Sequence, residues 1–125
     1  MEPDPRHVLG KTGEDLACAE LRRRGYAILE RRYRTRFGEI DIIASHRGDI
    51  VFVEVKTRAG DLYGDGAAAV TPWKQQRVAR MATDYLSKRR LHDRPCRFDV
   101  VAVDLSGGVP RLDVFPHAFE ATRHR

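Results

Sequence analysis

Gly38-Glu39-Ile40-Asp41-Ile42-Ile43-Ala44 and Ile50-Val51-Phe52-Val53-Glu54-Val55-Lys56 are the stretches on which the reading of this chain turns. Both are apolar, β-branched runs that carry acids where apolar residues are expected. Only Ser45-His46-Arg47-Gly48-Asp49 separates them, too few residues for anything but a hairpin. If Arg47-Gly48 is a two-residue loop, its Gly can take φ > 0 and His46 faces Asp49. In that register Asp41 faces Glu54, and Glu39 faces Lys56. A longer loop or a bulge would offset each pair by one residue and leave strand twist to bring the carboxylates together. Directly opposed side chains share a face, with Cβ atoms about 4.5–5.5 Å apart. Two carboxylates so close repel each other unless a proton or a cation lies between them. Protonation or solvent exposure is the plainer remedy. A divalent metal is the chemically productive one, with Lys56 two residues beyond Glu54 on the same face. An acid followed by acid-x-Lys is a set that suits metal-assisted phosphodiester hydrolysis.

Strand alternation extends this picture. Val51, Val53 and Val55 face one way; Phe52, Glu54 and Lys56 face the other. In the preceding strand Ile40, Ile42 and Ala44 oppose Glu39, Asp41 and Ile43. The polar residues gather at the ends away from the turn, which predicts a cleft at an edge. Asp41 and Glu54 are hard oxygen ligands for Mg²⁺ or Mn²⁺, with the Val55 carbonyl a further candidate. Lys56 would orient or deprotonate a water, or stabilise charge developing on phosphorus. The simpler reading of Lys56 is a salt bridge to Glu39. Glu39 is then either its partner or an outer acid supporting the site.

The rest of the chain frames the hairpin. At 125 residues it is one domain, and 33% charged against 42% hydrophobic residues makes it globular. A net charge of +5 fits nucleic acid or an anionic membrane, and equally plain solubility. Cys18 and Cys96 are in no metal-binding spacing, and Cys18 falls in an apolar helical stripe. No membrane-spanning run or signal peptide is present, so the expectation is a cytoplasmic protein without membrane contact.

Residues 1–9 read as a flexible arm, 10–116 as a single domain and 117–125 as a tail with a short fraying helix. Thr12-x-x-Asp15 resembles a capping box and predicts a helix to about Arg24, stopped by Gly25. Tyr26 to Leu29 reads as a short strand, and Arg31 to Phe37 as a basic stretch with interleaved aromatics. Residues 57–70 read as a mobile loop. Thr71-Pro72 opens a second helix with a stripe of Val78, Met81, Ala82, Tyr85 and Leu86. Arg97 to Leu105 is a strand whose apolar run predicts a place inside the sheet, and Arg111 to Phe115 a last strand closed by Pro116. The order helix, three strands, helix, two strands predicts an α/β fold with a mixed sheet.

In the first helix Glu14, Ala17, Cys18 and Leu21 share one face. Glu14 either sits beyond the core edge, favoured by the helix dipole, or is a third carboxylate beside Asp41 and Glu54. A buried carboxylate without a partner would be costly.

Glu14, then Gly38-Glu39-Ile40-Asp41, then Phe52-Val53-Glu54-Val55-Lys56-Thr57-Arg58 resemble the YraN-like family of small bacterial proteins. The resemblance continues through Lys74-Gln75-Gln76-Arg77 and Arg97-Phe98-Asp99-Val100-Val101, covering roughly Gly10 to Leu105. That family is similar to the restriction-endonuclease-like superfamily and, within it, to archaeal-type Holliday-junction resolvases. The resemblance implies a central mixed sheet flanked by helices and a nuclease site dependent on Mg²⁺ or Mn²⁺. Glu14 matches the helix acid, Asp41 the metal-binding aspartate, and Glu54 and Lys56 the acid-x-Lys pair. Gln75 or Gln76 matches an accessory polar residue on a helix. Because junction resolvases work as dimers, a homodimer is also implied.

Three functions compete. The first is a metal-dependent nuclease acting on DNA, branched or single-stranded, with Glu14, Asp41, Glu54 and Lys56 at its centre. The second is a non-catalytic module binding DNA or RNA on the same fold. The third is an RNA-binding or ribosome-associated factor. Arg34, Arg36, Arg58, Lys74, Arg77 and Arg80 would track phosphates in any of them, or form ordinary solvated surface. Opposed acids repel a phosphate backbone, which favours the first.

Overall fold

The computed structural model describes residues 5–59 and 71–119. It contains α1 (Pro5–Arg23), β1 (Ala27–Thr35), β2 (Gly38–His46), β3 (Asp49–Arg58), α2 (Pro72–Lys88), β4 (Cys96–Asp104) and β5 (Arg111–Phe119). This is the element order predicted from the sequence. The strands form one five-stranded sheet in the order β1-β2-β3-β4-β5. Neighbours are antiparallel except β3 and β4, which are parallel. A parallel pair needs a crossover, and α2 lies in that connection.

Each face of the sheet is covered by one helix. On one side Ala17, Cys18 and Leu21 of α1 pack with Ile42, Ala44, Val51, Val53, Val101 and Val103. On the other side Val78, Met81, Ala82, Tyr85 and Leu86 of α2 pack with Ile40, Ile43, Ile50, Phe52 and Phe98. The predicted α2 stripe is therefore the buried one. Each fully buried aliphatic or aromatic side chain contributes about 1.5–3 kcal/mol relative to exposure. This arrangement is consistent with a restriction-endonuclease-like α/β fold. Among the described residues no helix is long and apolar enough to cross a membrane.

Several boundaries move. α1 starts at Pro5, so Thr12 and Asp15 lie inside the helix rather than at its cap. Helical periodicity here outweighs a capping pattern that lacks its usual Glu or Gln. The basic stretch over 31–35 is strand, part of a β1 that runs from Ala27 to Thr35. β5 passes through Pro116 to Phe119, because an edge strand tolerates a residue without an N–H. It bulges there, between the pairs Val100↔Phe115 and Phe98↔Phe119. Thr71 caps α2 as predicted, its side chain accepting from Lys74 N at 3.2 Å with Pro72 at the helix start. Most of the expected 57–70 loop, and residues 120–125 of the expected tail, lie outside the described residues.

The hairpin register is the one argued above. Arg47 and Gly48 both have positive φ, 51° and 85°, the signature of a tight two-residue turn. His46 faces Asp49, and pairing continues to Ile42↔Val53. There it ends, one step before Asp41 and Glu54.

A candidate active site in the fork between two strands

The strands part where the acids begin, and Asp41 explains how the fork is held. Its Oδ2 accepts the Val55 N–H at 2.8 Å, the place a β2 backbone carbonyl would otherwise fill. The alternation of β2 breaks at the same point. Ile40 and Ile43 pack on the α2 side, whereas Ile42 and Ala44 pack on the α1 side. The sequence expectation that Ile40 shares a face with Ile42 is thus corrected. A regular ladder would have made Asp41 and Glu54 a cross-strand pair; instead Asp41 lies in the fork.

A cleft of about 340 Å³ opens beside Asp41 toward α1, lined by residues including Lys11, Glu14, Arg32, Glu39, Val55 and Thr57. Close approach of α1 to β3 makes this possible. A Cβ on Gly13 would meet Thr57 Oγ1 at 2.0 Å, so any larger residue there would have to push the Thr57 side chain aside. Glu14, the next residue, is buried and bonded to two arginines. Arg31 Nε donates to its Oε1 at 3.0 Å and Arg32 Nε to its Oε2 at 3.2 Å. Arg32 has a left-handed φ of 54°, which interrupts alternation and lets consecutive arginines reach one carboxylate. Glu14 stands mid-helix, so the helix-dipole reading does not apply.

Glu54 follows Phe52 toward the α2 side and is buried. Lys74 Nζ in the first turn of α2 lies 3.3 Å from its Oε2. Lys74 also hydrogen-bonds the Lys56 amine. Two amines sharing a hydrogen bond cannot both be ammonium without strain. Burial, then Lys74, pushes Lys56 down, while Lys74 is pushed up against burial by Lys56 and Glu54. Lys56 is therefore the amine that gives up its proton first. Asp41 is pushed up to about 7, first by burial and next by the charge of Glu54, with Glu14 adding to both. The Val55 N–H and Lys74 act the other way.

The remaining predicted residues sort as follows. Glu39 pairs with Arg34, whose Nε donates to it at 3.1 Å, so the salt bridge suggested for Glu39 and Lys56 is replaced by one to β1. Gln75 is half-buried, while Gln76 is exposed and lines a separate groove with Phe37, Trp73, Arg77 and Arg80. Arg36 and Arg80 lie over Phe37, and Arg77 over Trp73. Arg58 ends β3. Lys74, expected only to track phosphates, is instead inside the site. The Thr71-Pro72 helix start was the available signal, because it puts residue 74 in the first turn of the crossover helix.

Asp41 and Glu54 suit a divalent ion as hard donors whose mutual repulsion a cation relieves. Among the described residues no three His, Cys, Asp or Glu side chains are gathered to hold a metal. Glu14 is occupied by arginines and is not a gathered third ligand. The residues fit an ion held by two carboxylates and its own waters, as Mg²⁺ often is.

The chain matches the model of the uncharacterised protein family UPF0102 over residues 13–103, a span that contains Glu14, the whole fork and α2. It is 50% identical over 111 residues to a UPF0102 protein of Syntrophus aciditrophicus, covering 89% of this chain and 87% of the relative. A UPF0102 protein of Geobacter metallireducens is 47% identical over 112 residues, covering 90% and 92%. One of Chlorobium phaeobacteroides is 44% identical over 127 residues, covering 97% and 99%. Matched along its core and over nearly its full length by such relatives, the chain belongs to the UPF0102 family, the family to which its YraN-like motifs point.

Proposed function

We propose that this protein is a metal-dependent nuclease that hydrolyses phosphodiester bonds in DNA at the β2–β3 fork. The observation that carries the reading is the pairing of two electrostatically opposed carboxylates, Asp41 and Glu54, with two linked amines, Lys56 and Lys74. A structural ion pair needs neither the second acid nor the second amine. Asp41 and Glu54 would hold Mg²⁺ or Mn²⁺, which when bound supplies Lewis acidity and a water of lowered pKa. Asp41 is fixed by the Val55 N–H, so its second oxygen remains available. Lys74 keeps Lys56 inclined to the neutral amine, which accepts the proton of the attacking water. Once protonated, Lys56 stabilises the charge gathering on the phosphoryl oxygens.

A second reading has its own support. Glu14 and Glu54 already have cationic partners, which suits a closed polar framework in a non-catalytic nucleic-acid-binding module. Incubation with labelled DNA and RNA structures in Mg²⁺, Mn²⁺ or chelator separates the two. The nuclease reading expects cleavage that needs metal and is lost in Asp41→Asn, Glu54→Gln and Lys56→Ala, with DNA binding retained in Lys56→Ala. Salt-sensitive binding without cleavage across the whole panel would leave the module.

A further inference from the structure

The sole tryptophan of the chain, Trp73, is 67% exposed, the most exposed aromatic side chain among the described residues with large hydrophobic surface. Burial would have been the default for a residue of this size, and its neighbour Lys74 turns inward to Glu54. Trp73 is not isolated. The Arg77 guanidinium lies over its ring at 4.7 Å from the centroid. One step further, Arg36 and Arg80 lie over the Phe37 ring at 4.9 and 5.8 Å. Phe37, Trp73, Arg77 and Arg80 line a groove of about 200 Å³ with Gln76, and no acid is in the lining. Arg77 Nε is shielded from solvent and meets no hydrogen-bond acceptor among the described residues. A buried donor left in this way costs free energy unless something supplies an acceptor.

We infer that Trp73, Phe37, Arg77 and Arg80 form a stacking platform for unpaired bases of a single DNA strand whose backbone runs to the fork. This rests on the nuclease reading and deepens it by naming the part of the substrate that is held. Aromatic faces alternating with guanidinium groups are what a single strand requires: rings for the bases, cations for the phosphates, and no hydrogen-bond code for sequence. Paired bases in a duplex are stacked on each other and offer no free face to Trp73. A protein partner would be equally attracted to exposed aromatics, but a lining whose charged groups are both arginines, one with a spare donor, favours a polyanion. Trp73 stands one residue before Lys74, so a base on the platform sits beside the strand segment that reaches Glu54 and Lys56.

The lone tryptophan makes the test direct. Wild type is titrated with oligothymidylate, oligouridylate and a blunt duplex in chelator, reading tryptophan emission and oligonucleotide anisotropy together. Oligothymidylate should quench the emission saturably, in step with the anisotropy, and the duplex should bind without quenching. Trp73→Ala should weaken oligothymidylate binding about tenfold or more, with duplex binding unchanged, and Trp73→Phe should restore most of it. Stronger quenching by oligouridylate than by oligothymidylate would overturn the assignment to DNA. Binding that leaves the emission unaltered, a Trp73→Ala variant that binds oligothymidylate as wild type does, or no binding to it at low salt would each overturn the platform. Asp41→Asn should keep the quenching. Wild type that cuts DNA without quenching sinks the platform alone, and wild type that quenches without metal-dependent cutting sinks the nuclease reading alone.

Discussion

The two ends of the β2–β3 hairpin both bury charge, and they treat it in opposite ways. At the turn end Arg97 and Asp99 are nearly inaccessible, and their groups are satisfied. Arg97 reaches Asp49 at 3.1 Å, Asp99 at 3.1 Å, the Tyr26 hydroxyl at 3.0 Å and His46 Nδ1 at 2.6 Å. Asp99 also accepts from the Tyr26 hydroxyl and from His117 N. His46 stacks flat on Tyr26 with centroids 3.9 Å apart, and burial and then Arg97 push its pKa down, which leaves Nδ1 an acceptor. At the open end the charge of one carboxylate works against another, and amine meets amine. A fully satisfied network rigidifies a fold. Like charges held together destabilise it unless something else binds, and such arrangements gather at functional sites. The contrast, rather than burial of charge as such, is what singles out the fork as the candidate site.

The largest test of this contrast is Asp99→Ala. It takes one of two carboxylate partners from the buried Arg97 guanidinium and removes the acceptor of the Tyr26 hydroxyl and His117 N–H, and urea unfolding should register a loss of about 3–5 kcal/mol. A loss within experimental error would mean that the turn end is no more a structural network than the fork is.

Asp41→Asn should act in the opposite direction. In the folded protein Asp41 is pushed up to about 7 from an ordinary value of 3.8. Between those values the folded state keeps a proton that the unfolded chain has released, so stability falls as pH rises through the window. Above it the penalty is complete; below it the penalty vanishes. Asn removes the charge while its side-chain oxygen can still accept the Val55 N–H. The variant should therefore exceed wild type by about 1–3 kcal/mol at mildly alkaline pH, with the gap closing toward pH ~4. Unfolding midpoints measured across pH check this, and a variant that is less stable at alkaline pH would reverse the assignment of strain to the fork.

Mg²⁺ or Mn²⁺ should close part of the same gap from the other side. An ion that binds only the folded protein stabilises it by about 1.4 kcal/mol at ten times its dissociation constant. Thermal unfolding with and without the ion should show this in wild type and not in Asp41→Asn. Equal shifts in both would place the ion elsewhere. The smallest effect is expected for His46→Phe at the turn end. The ring still covers Tyr26, and Arg97 keeps Asp49, Asp99 and Tyr26, so the cost should stay within about 1 kcal/mol.

The sequence alone is enough for the order of elements and for the hairpin register as far as Ile42 and Val53. These depend on periodicity, turn chemistry and the two-residue repeat of a strand, all of which are local. Thr71-Pro72 fixed the start of α2 for the same reason. Only the tertiary structure decided that the ladder stops at Ile42 and Val53, because that depends on Asp41 competing for a backbone N–H across the fork. It also decided that Glu14 is claimed by Arg31 and Arg32, that Glu39 turns to Arg34, and that Lys74 joins Lys56. A cationic side chain in a sequence carries no record of which carboxylate it will meet. Long flexible side chains choose among several partners within reach, and the choice is made by the packing of α1 and α2 on opposite faces of the sheet.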